Sequence, residues 1–231
     1  MIRAPAEDVL TTSLFQQTYL RLRGDVIFGK LPPGQRLRLE DLKETYGASV
    51  PTLREVLNRL TSEGLVVSED QRGFAVAPIS AENLQELAAL RKLIELDALA
   101  KSLRSGDVAW ESDLVAAHHK LSRIEQRMIA GEACDRSEWK RYDFGFHQTM
   151  IKACRSAEVM AVHQVVFDKY LRYQMVYLTF RGAVAAAEHK ALLDAALARD
   201  VDLAQSLLAT HIDHGVAHAL AAHAAGHKAP A

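Results

Sequence analysis

The chain is expected to be mainly α-helical, with an N-terminal helical module carrying a small β-hairpin over residues 1–78 and a C-terminal antiparallel bundle of about six helices over residues 79–231. Three observations predict this. Apolar residues recur at three- and four-residue spacing through most of the 231 residues, which is the period of an amphipathic helix. Two short runs rich in β-branched residues, Leu65-Val66-Val67 and Phe74-Ala75-Val76, flank the turn Glu69-Asp70-Gln71-Arg72-Gly73 and read as a hairpin. Pro78-Ile79-Ser80 then separates that hairpin from a long helical run and marks a boundary.

In chain order, Leu14, Phe15, Thr18, Leu22, Val26 and Ile27 predict a first helix over 12–30, capped by Thr12 or Ser13 and ended by Gly29 and Pro32-Pro33-Gly34. Arg36-Leu37-Arg38-Leu39 reads as a short extended piece, and a short helix follows from Leu42 to Tyr46, with the turn at Gly47. Ser49 caps a longer helix in which Leu53, Val56, Leu57 and Leu60 share one face, while Pro51, Arg54, Glu55, Asn58 and Ser62 share the other; Gly64 ends it. Two helices across a tight turn, the second led by Ser, Pro and Arg and followed by a hairpin, make the layout of a winged helix-turn-helix.

In that layout Arg54 is the first choice for a base contact, because bidentate Arg to guanine is the commonest specific pair. Ser49, Pro51 and Asn58 lie beside it. Arg36 and Arg38 are placed to meet phosphate, and Arg72-Gly73 puts a wing tip at or in the minor groove. The plain alternative for any one of these arginines is a solvated surface charge.

Helical patterns continue over Ala81–Leu103, Val108–Ile129, Ser137–Cys154, Ala157–Phe180, Ala183–Arg199 and Val201–Ala221. The first carries two apolar stripes, Leu84, Leu87 and Ile94, and Leu93, Leu96, Ala100 and Leu103, so it is expected to be largely buried. Arg91 and Glu95 stand four apart beside the first stripe and read either as a helix ion pair or as an effector pocket in which Arg91 meets a carboxylate. Val166, Tyr170, Tyr173 and Tyr177 form an aromatic stripe with Arg172 adjacent, which makes Arg172 a second effector candidate.

Asp143 and His147, also four apart, share a helical face with Phe146, Met150, Ile151 and Cys154. His189 shares a stripe with Leu192, Leu193 and Ala196, and His211 follows Ala204, Leu207 and Leu208 at helical spacing. Buried charge requires a partner. One carboxylate and three imidazoles aimed into a bundle make a divalent metal site, and the N/O set suits Zn, Ni, Mn, Co or Fe better than Ca. The alternative for each imidazole is a hydrogen-bonded core residue. His118, His119 and His163 have no partner assignable from spacing, and most of His214, His218, His223 and His227 are expected to be solvated.

An apolar fraction of 49% supports a substantial core. Cys134 and Cys154, the only cysteines, have no metal-binding spacing and read as reduced thiols. No apolar run is long enough to span a bilayer and residues 1–10 lack an apolar signal core, so a cytoplasmic protein without a membrane partner is expected. The first 78 residues hold ten Lys/Arg against ten Asp/Glu, so bulk charge gives no support for nucleic-acid binding. The case rests on where the arginines sit.

The run Leu31-Pro32-Pro33-Gly34, the string Ser49…Leu53-Arg54-Glu55-Val56-Leu57…Leu60…Glu63-Gly64-Leu65-Val66 and the wing Arg72-Gly73-Phe74-Ala75-Val76 resemble the winged helix-turn-helix of the GntR family of bacterial transcription regulators, over residues 12–78. Asp143-x-x-Phe146-His147, Glu188-His189 and His211-Ile212 are similar to the metal-binding pattern of the all-helical FCD domain in the FadR group of that family. The chain departs from relatives at Val50, where many have an Arg after the Ser, and at Glu40, where some carry a DNA-contacting Arg. The resemblance implies a regulator, a repressor and not an enzyme, that senses a small organic acid. The favoured reading is a homodimer on a pseudo-palindromic double-stranded DNA operator, with a carboxylate effector bound at the metal. A regulator for which the metal is itself the signal, and a metalloenzyme with a DNA-binding module, are the rival readings.

Overall fold

The computed structural model describes residues 13–69, 73–177 and 180–225, and the chain divides between Pro78 and Ile79 into two compact units. The first contains α1 (Leu14–Ile27), β1 (Arg36–Leu37), α2 (Leu39–Tyr46), α3 (Val50–Ser62), β2 (Val66–Glu69) and β3 (Gly73–Val76). Ser13 caps α1 by accepting the Gln16 N–H, and Ser49 caps α3 by accepting that of Thr52, which satisfies donors that a helix start leaves orphaned. Between α2 and α3 the backbone turns through Gly47 at φ 65°, a left-handed conformation that favours glycine.

Leu22, Leu53, Val56, Leu57, Leu60 and Val76 are fully buried in this unit, each contributing roughly 1.5–3 kcal/mol of burial. Glu63 ties the end of α3 to α1, accepting from Tyr19 Oη at 2.5 Å and from Arg23 Nε at 3.1 Å. Two features differ from the sequence expectation. α2 starts at Leu39 and not Leu42, because Arg38 takes the extended cap conformation and Glu40 and Asp41 complement the dipole of the first turn. β1 is a third strand of the wing sheet: β3 is central, with Arg36 opposite Ala75 and Leu37 opposite Phe74 on one side, and Val66 opposite Val76 on the other.

The second unit holds, among the described residues, six α-helices: α4 (Ala81–Ser105), α5 (Val108–Ile129), α6 (Arg136–Ile151), α7 (Ala157–Tyr177), α8 (Ala183–Leu197) and α9 (Val201–Ala224). Ser80, Asp107, Asp135 and Asp200 cap α4, α5, α6 and α9. α4 packs on α7 and α9, α5 on α6 and α8, and α8 on α9. α6 ends a turn before Cys154, where a short 3-10 turn over Lys152–Cys154 runs into Arg155 at φ 57°. The second predicted stripe of α4 is corrected at Leu93, which is 73% exposed. Two residues along a helix turn about 200°, so burying Arg91 puts Leu93 outside; the inner face runs Leu84, Leu87, Ala88, Arg91, Glu95 and Ala98. An ion pair therefore sits in the middle of a core face.

Candidate functional site

Asp143 and His147 on α6, His189 on α8 and His211 on α9 are all buried, and each offers a ligand atom within 4.8 Å of the others. Opposite ligands on an ion with bonds near 2.1 Å stand about 4.2 Å apart, so small side-chain shifts close the set. Each imidazole is oriented by a glutamate from another helix. His147 Nδ1 meets Glu95 Oε2 at 3.1 Å, His189 Nδ1 meets Glu125 Oε1 at 2.8 Å, and His211 Nδ1 meets Glu188 Oε2 at 2.7 Å. An ionised carboxylate only accepts, so each Nδ1 carries a proton, and in the neutral ring each Nε2 then holds the lone pair, the tautomer that a metal needs. His189 Nε2 is buried without a hydrogen-bond partner, 3.3 Å from Asp143 Oδ1. An orphaned imidazole nitrogen beside a carboxylate oxygen fits a divalent ion.

The structure brings all four predicted ligands together and adds residues that spacing missed. Glu125 had a visible signal, since it stands four residues after Leu121 on the buried stripe of α5. Glu188 was visible only in the motif Glu188-His189; helical spacing gave no sign of its role, because its partner lies 23 residues away on α9. Arg91 and Glu95 form a buried bidentate pair, Nε to Oε1 at 2.6 Å and Nη2 to Oε2 at 3.1 Å, and Glu95 also meets His163 Nε2 at 3.0 Å. His163 thus has a partner on α4. Arg91 also lines a cavity of about 30 Å³ with Lys140, Asp143, Tyr170, Arg181 and His189. Arg172 is buried but does not line that cavity: it stands two residues from both Tyr170 and Gln174, which do, and so lies on another side of α7. Tyr170 splits the aromatic stripe between core and cavity, and its Oη stands 2.7 Å from where a Cβ on Gly215 would sit. A side chain at residue 215 would displace it.

Burial disfavours the charged form of every group here, and the neighbours decide the outcome. Asp143 and Glu95 are nonetheless held well below the usual carboxylate range, mainly by Lys140 and Arg91 respectively. Burial also draws the Lys140 ammonium down, against the pull of Asp143. His189 is opposed by burial but raised to about 9 by Asp143 and Glu125. His211 is lowered to about 3 by burial and by His189, in spite of Glu188.

These opposite shifts set the pH dependence of the metal-free protein. The contribution of His189 is complete below its ordinary value near 6.5 and is lost as pH rises towards 9. That of His211 is present above about 6.5 and is lost as pH falls towards 3. Metal-free protein should therefore melt highest between about pH 6 and 7. Thermal unfolding in chelator from pH 5 to 9 checks this, and a flat alkaline limb would refute the His189 environment.

In the first unit Pro51, Arg54 and Asn58 are exposed along α3, opposite Leu53, Val56, Leu57 and Leu60, with Ser49 at the cap. Among the described residues nothing hydrogen-bonds or ion-pairs with the Arg54 side chain, so it is available to a ligand. Arg36 on β1 and Arg38 at the start of α2 are exposed, as is Gly73, which takes φ 87° at the start of β3. Arg72 lies outside the described residues. Among the described residues no helix is long and apolar enough to cross a membrane.

Residues 14–76 match the model of the bacterial regulatory proteins of the gntR family, and residues 86–214 match that of the FCD domain. The HTH-type transcriptional regulator BphR of Paraburkholderia xenovorans is 35% identical over 206 residues, covering 88% of this chain and 84% of its own. The Escherichia coli HTH-type transcriptional repressor GlaR is 31% identical over 207 residues, covering 84% and 90%. Among solved structures, E. coli McbR/YncC has the same fold, with a TM-score of 0.74 at 22% identity over 90% of this chain and 97% of that one. With both of its units matched in this way, the chain belongs to the GntR family of DNA-binding transcriptional regulators, in the FadR-type group that joins the winged module to an FCD domain.

Proposed function

We propose that residues 1–78 bind a pseudo-palindromic double-stranded operator, that residues 79–231 form the effector-binding and dimerisation domain of a homodimer, and that a small organic acid at a divalent metal site controls operator affinity. The observation that carries this reading is the convergence of Asp143, His147, His189 and His211, with every Nδ1 held by its own glutamate. Zinc, nickel or manganese suits that donor set. When bound, the ion supplies a Lewis-acid position for a carboxylate oxygen. Repression is supported by the name of the E. coli relative GlaR. A second reading, in which the ion is itself the signal, is favoured by the cavity of about 30 Å³, which leaves little room beyond the ion. Titrating metal and organic acids separately against operator binding divides the two: an acid that changes affinity only in metal-loaded protein supports the first, and a metal effect that no acid modifies supports the second.

The operator contact has its own test. Ser49, Pro51, Arg54 and Asn58 form the reading edge of α3, while Arg36, Arg38 and the wing residues Arg72 and Gly73 meet the backbone and minor groove. Arg54→Ala should cost on the order of 1–3 kcal/mol at one base pair of each half-site, with the fold intact. Competition binding on a footprinted operator measures it. Equal affinity of wild type and variant would remove α3 as the reading helix.

A further inference from the structure

Three cations line the cavity, Arg91, Lys140 and Arg181, and they are not equivalent: Arg181 is paired with Glu188 through two hydrogen bonds, at 3.0 and 2.7 Å. Arg91 is matched by Glu95 through two hydrogen bonds, and its guanidinium lies 4.4 Å from the ring centroids of both Phe167 and Tyr170. Lys140 is held more loosely in chemical terms. Its Nζ donates to Gln174 Oε1 at 2.7 Å and to Asp143 Oδ2 at 3.1 Å, and stands 4.0 Å from the Trp139 ring centroid, with the residue only 3% exposed. An ammonium has three N–H donors. Among the described residues the third has no acceptor.

Asp143 is also the one carboxylate of the ligand set, so an ion drawing on Asp143 shares with Lys140 the only anion that Lys140 contacts among the described residues. The charge balance points the same way. Asp143, Glu95, Glu125 and Glu188 are set against Arg91, Lys140 and Arg181 in hydrogen-bonded pairs around the cavity and its ligands. With a divalent ion on neutral imidazoles the set carries one excess positive charge. A single carboxylate restores balance, and buried charge requires such a match.

We propose that Lys140 anchors the carboxylate of a small organic acid beside the ion held by Asp143, His147, His189 and His211, and that Arg91 instead fixes Glu95. The inference rests on the metal reading above and names the residue that recognises the acid. The cavity of about 30 Å³ exceeds the roughly 10–15 Å³ that admits one water, so beside the ion it has room for little more than the carboxylate head of an acid.

The test uses full-length protein at saturating zinc, titrated calorimetrically with acetate, glycolate, malonate and glutarate, while zinc affinity is measured separately by chelator competition. Wild type should bind at least one of these acids. Lys140→Met should weaken the tightest of them about tenfold or more, as loss of a charged hydrogen bond requires, with zinc still bound. Gln174→Met keeps Asp143 and its contact with Lys140 but removes the acceptor that positions Nζ, and should weaken the acid several-fold. Unchanged acid affinity in zinc-loaded Lys140→Met overturns the role of Lys140 and leaves the metal-and-acid reading standing. Failure of all four acids to bind zinc-loaded wild type overturns both. If Lys140→Met does not hold zinc, Gln174→Met decides, and acid affinity equal to wild type overturns the proposal.

Discussion

Alanine at His189 should leave the protein without its divalent ion. The buried Nε2 of this residue faces Asp143 Oδ1, and Glu125 holds its Nδ1, so the substitution removes an oriented ligand nitrogen from the set. Wild type should retain about one ion per chain after mild purification, and added zinc at a thousand times its Kd should stabilise it by about 4 kcal/mol. His189→Ala should show neither effect. His118→Ala is the control, because that ring sits edge-on to Phe146, 5.6 Å between centroids, and is outside the ligand set. Elemental analysis and thermal unfolding with and without zinc measure both quantities. Stoichiometric metal in His189→Ala would falsify the site.

Removing Glu95 should give the largest loss of stability. Its carboxylate is fully buried and accepts from Arg91, His147 and His163 at once. Glu95→Ala strands the Arg91 guanidinium, which is 2% exposed, inside the bundle. Breaking a buried pair from one side costs about 3–5 kcal/mol, whereas replacing both partners by apolar residues is often close to neutral. Denaturant unfolding of metal-free protein should therefore find Glu95→Ala and Arg91→Ala each severely destabilised, and Arg91→Met/Glu95→Met recovering much of the loss. A cost below about 1 kcal/mol for Glu95→Ala would mean that the pair is solvated.

Where a residue pattern is local, it was legible: Ser13, Ser49 and Ser80 cap the helices that follow them, and Leu53, Val56, Leu57 and Leu60 all face inward. Capping and amphipathic period are properties of a few consecutive residues. β1 was legible only as an extended piece. Its place beside β3 depends on a partner nearly forty residues later, and a two-residue strand carries no period of its own. The two stripes on α4 were both plausible because leucine occurs on more than one side of that helix. Packing against α7 and α9 chose the face with Arg91 and Glu95 and left Leu93 outside.

By itself the sequence determined the class of the protein and the four inward residues Asp143, His147, His189 and His211, because motif and helical period are written along the chain. Only the tertiary structure decided how those residues are held. Glu95 reaches His147 across 52 positions, Glu125 reaches His189 across 64, and Lys140 meets Gln174 across 34. Helical spacing states which residues share a face. Which faces meet, and so which carboxylate takes which Nδ1 proton and which cation is left with a donor for a ligand, is set by burial of a common core, where each buried charge is stable only against the partner that packing brings to it.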